Sequence, residues 1–158
     1  MGKHLNSLRW KNAYVFTRSI IIDASPEQVF ALIEDPEKRK LWQKGLQKTE
    51  YTYQPSGDDP VGTRFVAFIK EGHKIQQYPG ELIEYEPGRK ISLRMEVPHF
   101  TMTNTITLEN IDLGTLILFQ STVNLHSFLA KMMFPLSRLF LPFIMAKQLS
   151  SLKHTAEQ

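Results

Sequence analysis

Two hydrophobic rhythms divide the chain. Along much of the first 125 residues apolar side chains recur at every second position; beyond that they recur at every third and fourth. Lys90 to Val97 is the clearest two-residue case. Ile91, Leu93, Met95 and Val97 share one face, and Lys90, Ser92, Arg94 and Glu96 share the other. Phe100 to Leu108 repeats the pattern: Phe100, Met102, Asn104, Ile106 and Leu108 oppose Thr101, Thr103, Thr105 and Thr107. A period of two belongs to strands with one buried face. Further strands are predicted over 14–23, 48–54, 63–70, 73–85 and 115–125, separated by turns rich in Gly, Pro, Asn and Asp. Pro79-Gly80 inside the 73–85 run predicts a bulge or a sheet edge.

Helices are predicted in two places. Ser25-Pro26-Glu27-Gln28 has the form of a capping box with proline at the first helical position. Val29, Phe30, Leu32 and Ile33 supply an apolar face as far as about Glu34. Asp35-Pro36 ends that helix and opens a second over 37–43, carrying Leu41 and Trp42, which Gly45 closes. Near the C-terminus Leu129, Met132, Met133, Leu136, Leu139, Phe140, Phe143 and Ile144 recur at three and four. Pro135 and Pro142 fall inside this run, and an interior proline costs ~3 kcal/mol. The expectation is a short helix, a break or kink at Pro135, and a longer helix to about Lys153. Leu136, Leu139, Phe140 and Phe143 are expected to face the sheet, and Phe134, Leu141 and Met145 to point elsewhere.

Composition narrows the function. A chain of 158 residues suits one domain, and at that size roughly 68–70% of the unfolded surface can be buried without staples. The boundaries read as an N-terminal extension over 1–13 and one domain over 14–158. There is no cysteine, which excludes disulfides, thiolate metal sites and cysteine nucleophiles. The five histidines, His4, His73, His99, His126 and His154, lack metal-ligand spacing. No metal and no cofactor is expected. Net charge is +3, and the basic run Lys38-Arg39-Lys40 sits among acids, as on an ordinary solvated surface. Nucleic acid is not expected as a partner. Met1 to Asn12 is polar and basic with no apolar core of a signal peptide, and no run reaches ~18 uninterrupted apolar residues. A soluble, cytoplasmic protein is the expectation.

The order of elements and several local motifs resemble one superfamily. Ile20-Ile21-Ile22-Asp23-Ala24-Ser25-Pro26-Glu27-Gln28-Val29-Phe30-Ala31-Leu32-Ile33 is similar to the opening of START/SRPBCC proteins. Asp35-Pro36-Glu37, Trp42, Val61-Gly62-Thr63-Arg64-Phe65, Glu81 to Pro87, Gly114-Thr115 and Leu149 to Glu157 fit the same pattern. The resemblance covers about residues 14–157 and points to the polyketide cyclase/dehydrase and lipid-transport branch. It implies an α+β helix-grip fold: a curved antiparallel sheet of about seven strands around a long C-terminal helix, with two short helices after the first strand. Fold alone does not give function.

Such a fold implies a tunnel between sheet and helix, and hence an apolar small molecule as partner. The candidate lining residues are Trp42, Phe68, Met95, Phe100, Met102, Phe119, Met133, Phe140, Phe143 and Ile144, with Asn104 as a polar anchor. Methionine suits such walls because it packs irregular apolar shapes. Three functions stay open. The first is carriage or sensing of a lipid, fatty acid, isoprenoid or polyketide-like ligand. The second is a cyclase- or dehydratase-like enzyme, for which Arg64, Tyr78 and Arg94 are the groups near enough to matter, although Arg94 sits on the outward row. The third is a protein-interaction module with a filled interior. No catalytic residue is assigned. The C-terminal helix is apolar nearly all round and carries Lys131, Arg138, Lys147 and Lys153 without an acid. A transient anionic membrane contact is one partner it suits. A homodimer, or cover from the N-terminal extension through Leu8 and Trp10, is the alternative.

Overall fold

The computed structural model describes residues 13–158. Leu8, Trp10 and the rest of the extension up to residue 12 lie outside the described residues. Seven strands follow in order: β1 (Ala13–Ile22), β2 (Leu46–Tyr53), β3 (Arg64–Glu71), β4 (Lys74–Glu86), β5 (Lys90–Val97), β6 (Phe100–Ile111) and β7 (Gly114–Leu125). They form one curved antiparallel sheet with spatial order β1-β7-β6-β5-β4-β3-β2. β2 to β7 are successive neighbours, and β1 closes on β7 from Ala13↔Asn124 to Ile22↔Thr115. Helices α1 (Pro26–Glu34) and α2 (Pro36–Arg39) lie between β1 and β2, and α3 (Phe128–Ala156) ends the chain. This is the helix-grip architecture.

Local chemistry explains the joints. Ser25 Oγ accepts from Gln28 N at 3.3 Å, and Gln28 Oε1 accepts from Ser25 N at 3.2 Å, so the capping box forms in full. Asp35 Oδ1 accepts from Glu37 N and starts α2, which is shorter than expected and stops at Arg39. Gly114 opens β7 at φ +125°, and a Cβ there would stand 2.2 Å from Ile22 O. Only glycine lets β7 start this close to the end of β1.

One expectation about proline is corrected: Pro135 does not break the C-terminal helix. α3 runs unbroken through Pro135 and Pro142. The two are seven residues apart and share one flank of the helix. They remove the bonds to the carbonyls of Lys131 and Arg138, both exposed residues that water reaches. Pro79 is not at a bulge but does sit at a local edge, because β4 pairs with β3 through Pro79 while β5 does not reach it. Pairing with β5 begins only at Gly80, so Pro79 lies where that side of β4 is open. The register shift in β4 comes later, between Leu82 and Glu84.

The main core joins Ile22, Val29, Phe30, Ile117, Phe119, Met145, Leu149 and Leu152. Only the C-terminal half of α3 enters it. Nearer its start, Phe134 packs on Val123 and Leu125 and stacks against Tyr14 at 4.3 Å between ring centroids.

Candidate functional site

A cavity of about 290 Å³ lies under the concave face of β3 to β6. Its position begins with the end of α1. The last carbonyls of a helix have no partner within it, and here Trp42 Nε1 donates to Leu32 O at 2.8 Å while Arg39 Nε donates to Ile33 O at 3.0 Å. Those two bonds fold the α1–α2 segment across the sheet and bring Ile33, Arg39 and Trp42 to one end of the cavity. The inward rows of the strands supply the walls: Phe65, Ala67 and Ile69 from β3, Ile91, Leu93, Met95 and Val97 from β5, and Phe100, Met102, Asn104 and Ile106 from β6. Gly80 makes room at β4, where a Cβ would stand 2.5 Å from the Phe65 ring.

Six polar side chains stand in the lining: Arg39, Gln43, Glu71, Tyr78, Asn104 and Gln148. Asn104 Oδ1 is buried with no hydrogen-bond partner, and so is Oγ of Ser121, which pairs with Asn104 across β6 and β7. An unpaired buried polar atom costs ~1–3 kcal/mol, so Asn104 Oδ1 is open to a donor from a ligand, while Ser121 lies behind the lining. The Arg39 guanidinium also reaches Glu34 O at 3.4 Å and forms no ion pair among the described residues. Burial holds it below its usual range, against the partial compensation of Tyr51 and Asp35. At the other end Tyr78 Oη donates to Glu71 Oε1 at 2.6 Å. Burial first, then the bond to Glu71 and its charge, push the phenol up to about 12.

Of the residues expected at the site, Trp42, Met95, Phe100, Met102 and Asn104 line the cavity. The others lie elsewhere. Phe68 is on the outer face, where Lys48 Nζ sits 4.4 Å above its ring, because the inward parity of β3 belongs to Phe65, Ala67 and Ile69. Phe119 is packed into the main core. Met133 and Phe140 line a second hollow of about 400 Å³ between α3 and the β5–β6 hairpin. Phe143 and Ile144 are exposed, Phe143 beneath Lys147 Nζ at 4.7 Å. From α3 only Gln148 reaches the cavity, so its roof comes chiefly from α1, α2 and Trp42. Arg64 and Arg94 are on the outer face, both paired with Glu81. Arg39, in a basic run that reads as solvated surface, is instead turned inward.

The family model for polyketide cyclase/dehydrase and lipid transport proteins matches residues 14–157. The chain belongs to that family. No curated protein matches it. Among solved structures, the TTHA0849 protein of Thermus thermophilus is 18% identical, covers 91% of this chain and 96% of its own, and superposes with a TM-score of 0.67. A Rhizobium leguminosarum protein is 15% identical, with coverages of 92% and 95% and a TM-score of 0.68. The di-domain ARO/CYC StfQ of the steffimycin biosynthetic pathway has a TM-score of 0.75 at 11% identity. It covers 96% of this chain and 54% of StfQ. At these identities the likeness is one of fold.

Proposed function

We propose that the chain binds and carries a small apolar molecule bearing at least one hydrogen-bond donor. The observation that carries this is the 290 Å³ apolar cavity with the unpaired carbonyl oxygen of Asn104 in its wall. Apolar pockets with a few polar anchors are the ordinary form of a small-molecule site, and ~300 Å³ is at the small end of their range. A hollow of about 150 Å³ takes one benzene ring. The cavity therefore suits a bicyclic or short-chain ligand rather than a two-chain lipid. A ligand acid group would find the unpaired Arg39 guanidinium.

An enzyme of the cyclase kind needs a group at the cavity that exchanges protons near neutral pH. Tyr78, held near 12 beside Glu71, is poorly matched to that task. An interaction module with a filled interior fits poorly with open space of this size. Native mass spectrometry of freshly purified protein tests the proposal. The expected result is a small-molecule adduct that organic solvent extracts. Bare polypeptide mass, with no uptake from a panel of apolar alcohols and acids, would overturn it.

A further inference from the structure

The outward side of α3 is apolar and uncovered among the described residues. Phe128, Met132, Leu136, Leu139, Phe140 and Phe143 are each more than half exposed, Leu139 by 73%. At 3.6 residues per turn they fall within a sector of roughly 120°. The opposite side holds Phe134, Met145, Leu149 and Leu152, the buried residues of the helix. A helix on a water-facing surface normally presents polar side chains outward, and this one inverts that rule over about four turns of its length.

Charge selects the occupant. Between Phe128 and Ala156 there is no Asp or Glu. Lys131, Arg138 and Lys147 are exposed and form no ion pair among the described residues. Lys153 is already engaged by Ile21 O and Glu157. A second copy packed through the same helix would offer these cations no acidic partner, since α3 carries none. An anionic lipid surface matches both features, taking the apolar side chains below its headgroups, with Lys147 inside the apolar sector and the long side chains of Lys131 and Arg138 reaching headgroups from its flank.

The helix also has the length and composition of a membrane span: its most apolar 18 residues average a hydropathy of 1.4, and 11% of them are buried. It is not free to cross. Met145, Leu149 and Leu152 are locked into the main core, and Phe134 is held by Tyr14 and Phe16. The helix can lie on a bilayer without the domain coming apart.

A path leads inward from this face. The 400 Å³ hollow is lined by Leu129, Met133, Leu136 and Phe140 at the outer side of α3. At its inner end are Phe100 and Met102, which also line the cavity. The Pro98-His99 turn forms its rim; His99 has φ 73° and its imidazole lies 3.1 Å from Ser127 Oγ, the N-cap of α3.

We propose that α3 docks on an anionic bilayer through this face, and that the hollow is where ligand passes between bilayer and cavity, past Phe100 and Met102. The route depends on the cavity binding a ligand; the docking does not. The test is flotation of the full chain with vesicles of phosphatidylcholine alone or mixed with phosphatidylglycerol, at low and high salt. Wild type is expected to float with the anionic vesicles and to leave them as salt screens the charges. The double variant Lys131→Glu, Lys147→Glu should lose at least tenfold in partitioning. Leu136→Ser, Leu139→Ser should lose it on both compositions, and all three proteins should melt alike. Uptake of an apolar dye without vesicles, measured alongside, separates failure of docking from failure of the cavity. Four results would overturn the docking: wild type staying off all vesicles, wild type and the charge variant partitioning equally, a stable dimer that Leu136→Ser, Leu139→Ser makes monomeric, or vesicle binding that appears only when residues 1–12 are removed.

Discussion

Tyr85 and Tyr78 show how single residues couple this fold to pH. Tyr85 Oη donates to Glu34 Oε2 at 2.7 Å, tying β4 to α1, and Tyr78 makes the equivalent bond to Glu71 beside the cavity. Burial, then the carboxylate, pushes each phenol up to about 12, against an unfolded value of about 10. The folded state holds these protons more tightly, so the added stability is fully present below pH about 10 and is lost as pH rises towards 12. Urea unfolding across that interval should show wild type losing stability more steeply than Tyr78→Phe, Tyr85→Phe; equal slopes would contradict the coupling. Residue identity at the cavity was partly legible. Alternation in β5 and β6 gave Met95, Phe100, Met102 and Asn104. It misled at β3, where Phe65 to Ile69 is apolar throughout, although Arg64 and Lys70 share the parity of Phe68 and mark it as outward. Arg39 was missed because a basic run reads as solvated surface; the unpaired carbonyls at the end of α1, which draw it inward, appear only once α1 and α2 are folded together.

α3 is the element where pattern and structure part. The sequence is apolar on nearly every side between Phe134 and Met145, so spacing could not say which stripe faces the sheet. Leu136, Leu139, Phe140 and Phe143 were expected inward, and they are outward. What sets the rotation is the C-terminal end, where Leu149 and Leu152 join Met145 in the main core and leave Leu141 and Phe134 on the same side. Truncation separates the two faces. Leu149→Ala should cost about 2–5 kcal/mol of unfolding free energy, as for other buried leucines. Leu139→Ala should change it by less than about 0.5 kcal/mol, as for an exposed site. The reverse order in denaturant melts would mean that the outer face is covered in solution. The break expected at Pro135 does not occur: the cost of an interior proline is smaller where the residue whose carbonyl it orphans is exposed, as Lys131 and Arg138 are.

For the molecule as a whole, the fold was the most legible level. Capping box, alternating strands and turn glycines all act locally, and each formed where expected. Asn104 and Ser121 stand as cross-strand neighbours on β6 and β7, each with an unpaired buried oxygen. How the space was walled was less legible, because it depends on long-range closure. The roof is built from Ile33, Arg39 and Trp42, and α3 adds only Gln148. Ligand is proposed to occupy this cavity rather than the hollow beneath α3. Ala67 is the small residue of the β3 wall, so Ala67→Phe places a ring in the cavity and leaves the hollow untouched. The decisive measurement is the Kd of an environment-sensitive apolar dye for wild type, Ala67→Phe and Leu136→Ser, each checked for a cooperative melt. Ala67→Phe should weaken binding at least tenfold while Leu136→Ser binds as wild type; unchanged binding by Ala67→Phe, with loss in Leu136→Ser, would contradict the account.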